Sequence, residues 1–184
     1  LILGAALFSW RMVQRHSLTS GGALTASLLG IFVVIGSHSF LWLLPLFLFL
    51  LSSSLIGRLF PVTTLAGDAK QKQPRDATQV LANGAIYGWY ALSLDSSGSG
   101  FRCFGAPIEY MLLLTAAIAT ADTWSSEVGQ YFRWPTYDLV KWRRVPTGLS
   151  GGVSLPGTLA GLAGAAFLMG TCWWLLPYPN TGDI

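Results

Sequence analysis

A chain of 184 residues that is 52% hydrophobic and only 10% charged, with a mean hydropathy of +0.53, carries too much apolar surface for a water-soluble domain, where about a quarter of residues are charged. Cys103 and Cys172 match no metal or redox spacing and His16 and His38 stand alone, which argues against hydrolytic zinc chemistry. A membrane span needs about 20 mostly apolar residues to cover about 30 Å of hydrocarbon. Six stretches approach that requirement, at 1–13, 19–37, 40–59, 77–94, 104–121 and 153–176. The expected fold is all-α, a polytopic transmembrane helix bundle forming a single domain over 1–184.

The first stretch is short and begins at Leu1 without a methionine, so the chain is expected to be a fragment with a truncated first span. The turn after it carries Arg11 and Arg15. The loop at 60–76, after the third stretch, has Lys70, Lys72 and Arg75 close behind Arg58, and the loop after the fifth has Arg133, Lys141, Arg143 and Arg144. With six spans, all the basic residues except Arg102 fall on one side of the bilayer; that side also has five acids, giving +10 − 5 = +5. The positive-inside rule places these loops in the cytoplasm, or in a stroma or matrix. Trp42, Trp173, Trp174 and Tyr178 are expected at the opposite interface, and Trp10, Trp134 and Trp142 at the basic one, as anchoring aromatic belts.

Polar residues at membrane depth are expensive unless they face a partner, water or a substrate. In the fourth stretch Asp76, Gln79, Asn83, Tyr87 and Tyr90 recur at helical spacing on one face, either as an interhelical ladder or as a polar path. The fifth ends in Asp122-Thr-Trp-Ser-Ser-Glu127. These two acids lie about 140° apart on an ideal helix, so a shared site requires a break near 123–125; the alternative is a helix cap. The loop expected at 122–152 closes with Gly148, Ser150, Gly151 and Gly152, preceded by Arg143 and Arg144. Glycines ahead of a helix form either a hinge or a nest of N–H groups that suits an anion. The missing lysine rules out a P-loop. Small residues at Gly157, Gly161 and Gly164, and at 116–121, predict that the fifth and sixth spans pack tightly.

KQKQPRDATQVLANG at 70–84, TADTWSSEVG at 120–129, VPTGLSGGVSLPGTL at 145–159 and the run SLTSGGALTASLLG ending at Gly30 resemble the phytyl-phosphate kinase and transmembrane protein 19 family. The resemblance implies an integral membrane enzyme that phosphorylates phytyl or another prenyl monophosphate to the diphosphate, as in tocopherol salvage, with CTP or another nucleoside triphosphate and Mg²⁺. Under that reading Asp122 and Glu127 hold the metal and Arg75, Lys141, Arg143 and Arg144 balance phosphate charge. Gly148, Ser150, Gly151 and Gly152 then cradle phosphate, and Asp76, Gln79 and Asn83 line the path of the prenyl head group. The expected partners are membrane lipid and the prenyl phosphate, with no nucleic acid. A transporter or scaffold without catalysis is the alternative.

Overall fold

The computed structural model describes residues 2–61, 74–94, 102–103, 106–149 and 151–176. Among these, six α-helices run in chain order as α1 (Ile2–Gln14), α2 (Ser20–Ser37), α3 (Leu44–Leu59), α4 (Ala77–Ser93), α5 (Ile108–Phe132) and α6 (Leu155–Leu175), with a 3₁₀ turn at Phe40–Leu43. Five short strands join them: β1 (Arg102–Cys103), β2 (Ala106–Pro107), β3 (Thr136–Asp138), β4 (Arg143–Val145) and β5 (Gly152–Val153). The helical membrane architecture agrees with the sequence reading, and the strands add to it. By length and composition, Ser20–Ser37, Phe40–Leu59 and Leu155–Leu175 are apolar enough to cross a membrane.

Local chemistry sets the boundaries. Thr19 caps α2 by accepting the Gly22 N–H at 3.0 Å, and Asp76 and Gln79 form a reciprocal capping box at the start of α4. Pro45 and Pro156 sit in the first turns of α3 and α6, where a missing N–H costs no helical bond. His16, His38 and Arg133 follow α1, α2 and α5 with φ near +50°, ending those helices in the left-handed conformation. The two isolated histidines are thus helix terminators.

Over its length the chain forms two compact units, Leu1–Phe47 with Pro74–Ala116 and Met169–Ile184, and Leu48–Gln73 with Ala117–Leu168. In the first, α2 and α4 lie parallel. Their starts meet where Thr19 N–H donates to the Arg75 carbonyl at 3.0 Å and Arg75 N–H to Ser17 at 3.2 Å. Leu29 fits over Gly84 and Gly88, and Gly36 lies on the backbone of Ala91 and Leu92. The pattern is inside-out relative to a soluble helix: Gly22, Ala23, Val33 and Gly36 are buried, while Leu24, Leu28, Phe32 and Ile35 are exposed. Small residues let the backbones approach, and the bulky ones face lipid. Ser9 joins α1 to α2 through Ala23 and Ser27. The buried Tyr87 hydroxyl donates to the Trp42 carbonyl at 2.6 Å. Trp42 is therefore a buried packing residue and not the interfacial anchor expected, whereas Trp173 and Trp174 are exposed. Tyr178 lies outside the described residues.

In the second unit α5 and α6 are antiparallel. Gly157 faces Ser125 and Gly129, Gly161 faces Ala121 and Ser125, and Gly164 lies against Thr120 and the Trp124 ring. The predicted small-residue seam is present and joins the two helices named for it. The end of α3 runs parallel to the end of α5, with Phe60 packed edge-on to Tyr131 at 5.2 Å and beside Phe132 at 6.0 Å.

Candidate functional site

In the second unit, α5 leads into and α6 leads out of a small sheet of order β4-β3-β5, and the end of α3 lies beside the end of α5. Both strand pairs are antiparallel, with Thr136 opposite Val145, Tyr137 opposite Arg144 and Val153, and Asp138 opposite Arg143 and Gly152. Alternation puts Arg143 on the same face as Asp138 and the buried Thr136 and Val145, and Arg144 on the other face with Tyr137 and Val153. Lys141 occupies the β3–β4 turn, and all three cations are exposed. The turn from β4 to β5 is closed by Leu149 N–H on Pro146 at 3.3 Å and Gly152 N–H on Leu149 at 3.0 Å. Gly148 and Gly151 take φ of +89° and +82° there, a conformation that favours glycine. The described residues of this loop are thus held by turn hydrogen bonds. Ser154 leads into α6, its hydroxyl accepting the Gly157 N–H at 3.4 Å. Ser150 lies outside the described residues, as do Lys70 and Lys72.

The two acids do not come together as the sequence reading required. The fifth helix does not stop at 121; α5 runs unbroken to Phe132, so 122–132 is helix and the loop begins at Arg133. Nothing at 123–125 breaks it, and the Ser125 hydroxyl bonds back to the Asp122 carbonyl at 2.9 Å, inside the helix. Asp122 and Glu127 therefore stay about 140° apart. Asp122 is exposed, on the stripe of Ile118 and Ser126. Glu127 is half-buried with its carboxylate over Gly57 of α3, where an added Cβ would lie 3.7 Å from it. No group of three His, Cys, Asp or Glu side chains able to hold a metal occurs among the described residues. A Mg²⁺ held jointly by Asp122 and Glu127 does not fit this helix, whose turn keeps the two carboxylates on different faces.

Sequence reasoning missed two groups beneath Glu127. Ser53 precedes Gly57 by one turn on α3, and Trp124 precedes Glu127 by one turn on α5. The Trp124 ring lies against Gly164 and Phe167 of α6. The Ser53 hydroxyl and Trp124 Nε1 are both buried without a hydrogen-bond partner in the structure. Buried donors are usually satisfied, which sets each of these two groups apart from the rest of the described interior. The signal was available: Ser52-Ser53-Ser54 interrupts an otherwise apolar span.

The proposed substrate path lies in the first unit and largely serves the helix itself. Gln79 N–H donates to Asp76 Oδ1 at 2.9 Å and Asp76 N–H to Gln79 Oε1 at 3.2 Å, so both side chains cap α4. Their side chains thus have a structural task at the start of α4, and Tyr87 is held by Trp42. Asn83 is half-buried on the same helix, and Arg75 precedes the cap with its backbone joined to Ser17 and Thr19.

Small-residue seams facing inward and leucines facing outward define a helical protein built to sit in lipid. The chain belongs to a family of integral membrane proteins, described as Integral membrane protein DUF92, whose model matches residues 3–181. No solved structure matches the chain.

Proposed function

We propose that the protein is a membrane-embedded prenyl-phosphate kinase, transferring a phosphoryl group from CTP or another nucleoside triphosphate to phytyl or a related prenyl monophosphate. One observation carries this reading. The two segments with the most specific likeness to the phytyl-phosphate kinases, TADTWSSEVG and VPTGLSGGVSLPGTL, pack directly on each other. A Cβ added at Gly129 would lie 3.3 Å from Gly157 Cα, and one at Gly157 would lie 2.9 Å from the Ser125 carbonyl. Contact between these segments, beside a basic sheet, supports a common role.

Phosphoryl transfer requires positioning and electrostatic relief more than covalent chemistry. In this reading the Gly148–Gly152 turn and Arg143 receive the nucleotide phosphates, and Glu127 supplies the one carboxylate to Mg²⁺ arriving on the nucleotide. That metal would neutralise charge on the transferring group. Ser53 and Trp124 offer hydrogen bonds one turn deeper, within reach of a head group whose prenyl tail remains in lipid. The acceptor phosphate is ionised near neutral pH, so no strong general base is needed. The basic loops then face the cytoplasm, stroma or matrix.

The second reading is a transporter or scaffold without catalysis, and the bonds of Asp76, Gln79 and Tyr87 suit a scaffold. Purified protein in lipid, incubated with labelled CTP and phytyl phosphate, separates the two. Kinase activity yields phytyl diphosphate, and Glu127→Gln abolishes it while Asp122→Asn keeps it. Absence of product with every nucleoside triphosphate sinks the kinase reading, and full activity in Glu127→Gln sinks the residue assignment.

A further inference from the structure

Between α5 and α6 the chain turns at Leu139-Val140-Lys141-Trp142, the tip joining β3 to β4. The tip has a defined shape. Asp138 Oδ1 accepts the N–H groups of Val140 and Lys141 at 2.9 and 3.1 Å, and Trp142 adopts φ of +47°. The turn directs its apolar side chains outward: Val140 is 89% exposed and Trp142 86%. Exposed apolar groups beside cations are poorly suited to water, yet they match the boundary between headgroups and acyl chains, where tryptophan and snorkelling cations concentrate. Lys141 lies within the tip and Arg144 just beyond it, on the sheet face opposite Arg143. The one nearby acid, Asp138, has its carboxylate engaged in the turn. Both flanks of this segment are helix ends, Phe132 of α5 and Leu155 of α6, and α6 is long and apolar enough to cross a membrane.

We infer that this hairpin tip is a lipid-recognition wedge, with Val140 and Trp142 entering the acyl boundary of the surrounding bilayer and Lys141 and Arg144 binding the phosphates of anionic lipids. The charge complementarity selects anionic over zwitterionic headgroups, and the apolar pair fixes the depth. The inference rests on the exposure and charge of the tip and not on the kinase reading.

The test uses the full chain labelled with 5-fluorotryptophan in phosphatidylcholine nanodiscs, with and without phosphatidylglycerol. The ¹⁹F resonance lost in Trp142→Phe reports on the tip. With phosphatidylglycerol present, a headgroup-proximal spin-labelled lipid should broaden that resonance and a water-soluble gadolinium chelate should not. Removing cations by Lys141→Gln and Arg144→Gln should lower the ratio of inserted to free tip by about fivefold for each one removed, in line with the attraction of a single basic residue to an anionic surface. Val140→Asp should release the tip to the chelate in the same discs, read on the same resonance with Trp142 itself unchanged. Broadening by the chelate in anionic discs, or by neither reagent, overturns the wedge. Insertion that ignores both phosphatidylglycerol and the two cations overturns the anionic-lipid recognition.

Discussion

Substituting Gly157 by alanine tests the seam that holds the two motif segments together. The new Cβ would lie 2.9 Å from the Ser125 carbonyl oxygen, 3.1 Å from Ser154 Oγ and 3.4 Å from Gly129 Cα. Carbon to carbonyl oxygen contacts normally begin at about 3.3 Å, so the helices must separate by a few tenths of an ångström. The carbonyl belongs to the backbone of α5 and cannot rotate away. Overpacking of this kind costs about 1–3 kcal/mol, and the better helix propensity of alanine returns about 0.5–1 kcal/mol, leaving a net loss of up to about 2.5 kcal/mol. Gly170, on the same helix, has nothing within 4 Å of its added Cβ and provides the control. Gly170→Ala should be neutral or slightly stabilising. Reversible unfolding in mixed micelles, followed by circular dichroism, measures both. A Gly157→Ala protein as stable as Gly170→Ala would refute the close approach of α5 and α6.

Gly151 has no neighbour within 4 Å but a φ of +82°, so Gly151→Asn should be tolerated whereas Gly151→Val should lose about 1–2 kcal/mol, read by the same unfolding assay. Tyr87→Phe leaves the buried Trp42 carbonyl without its donor and should cost about 0.6–1.7 kcal/mol, the range for polar contacts between membrane helices. Asp76→Ala should destabilise the protein by about 1 kcal/mol through loss of the cap, while Asp76→Asn should restore stability and retain turnover in the labelled-CTP assay. Loss of turnover in a stable Asp76→Asn protein would return that residue to the substrate path.

What the sequence revealed depended on whether a residue's role was written in its own neighbourhood. Membrane embedding and the α5–α6 seam were legible, because an apolar run of span length suits lipid far better than water and glycines at one-turn intervals leave a groove that a second helix fills. The end of α5 was not. Asp122-Thr-Trp-Ser-Ser carries the chemistry of a helix cap, but without proline or glycine it also continues a helix, and packing against α3 and α6 settles the matter. The Asp76-x-x-Gln79 spacing is a capping box in plain view, though its continuation into Asn83 and Tyr87 suggested a stripe with one purpose. The three-stranded sheet left little trace because each strand is two or three residues long and is defined by pairing across the chain. Ser53 and Trp124 gain their interest only from burial without a partner.

The parallel arrangement of α2 and α4 constrains how the protein is made. Two neighbours in the chain that cross a membrane in succession run antiparallel, so α2 meets its partner only after α3 has crossed between them. At translation rates of about 5–20 residues per second, synthesis of residues 38–76 delays that meeting by about 2–8 s. Throughout that interval Gly22 and Gly36 lack the backbone of Arg75, Ala91 and Leu92 on which they lie in the finished fold. The Ser9 contacts from α1 to Ala23 and Ser27, by contrast, join neighbours in the chain and need no later helix to form.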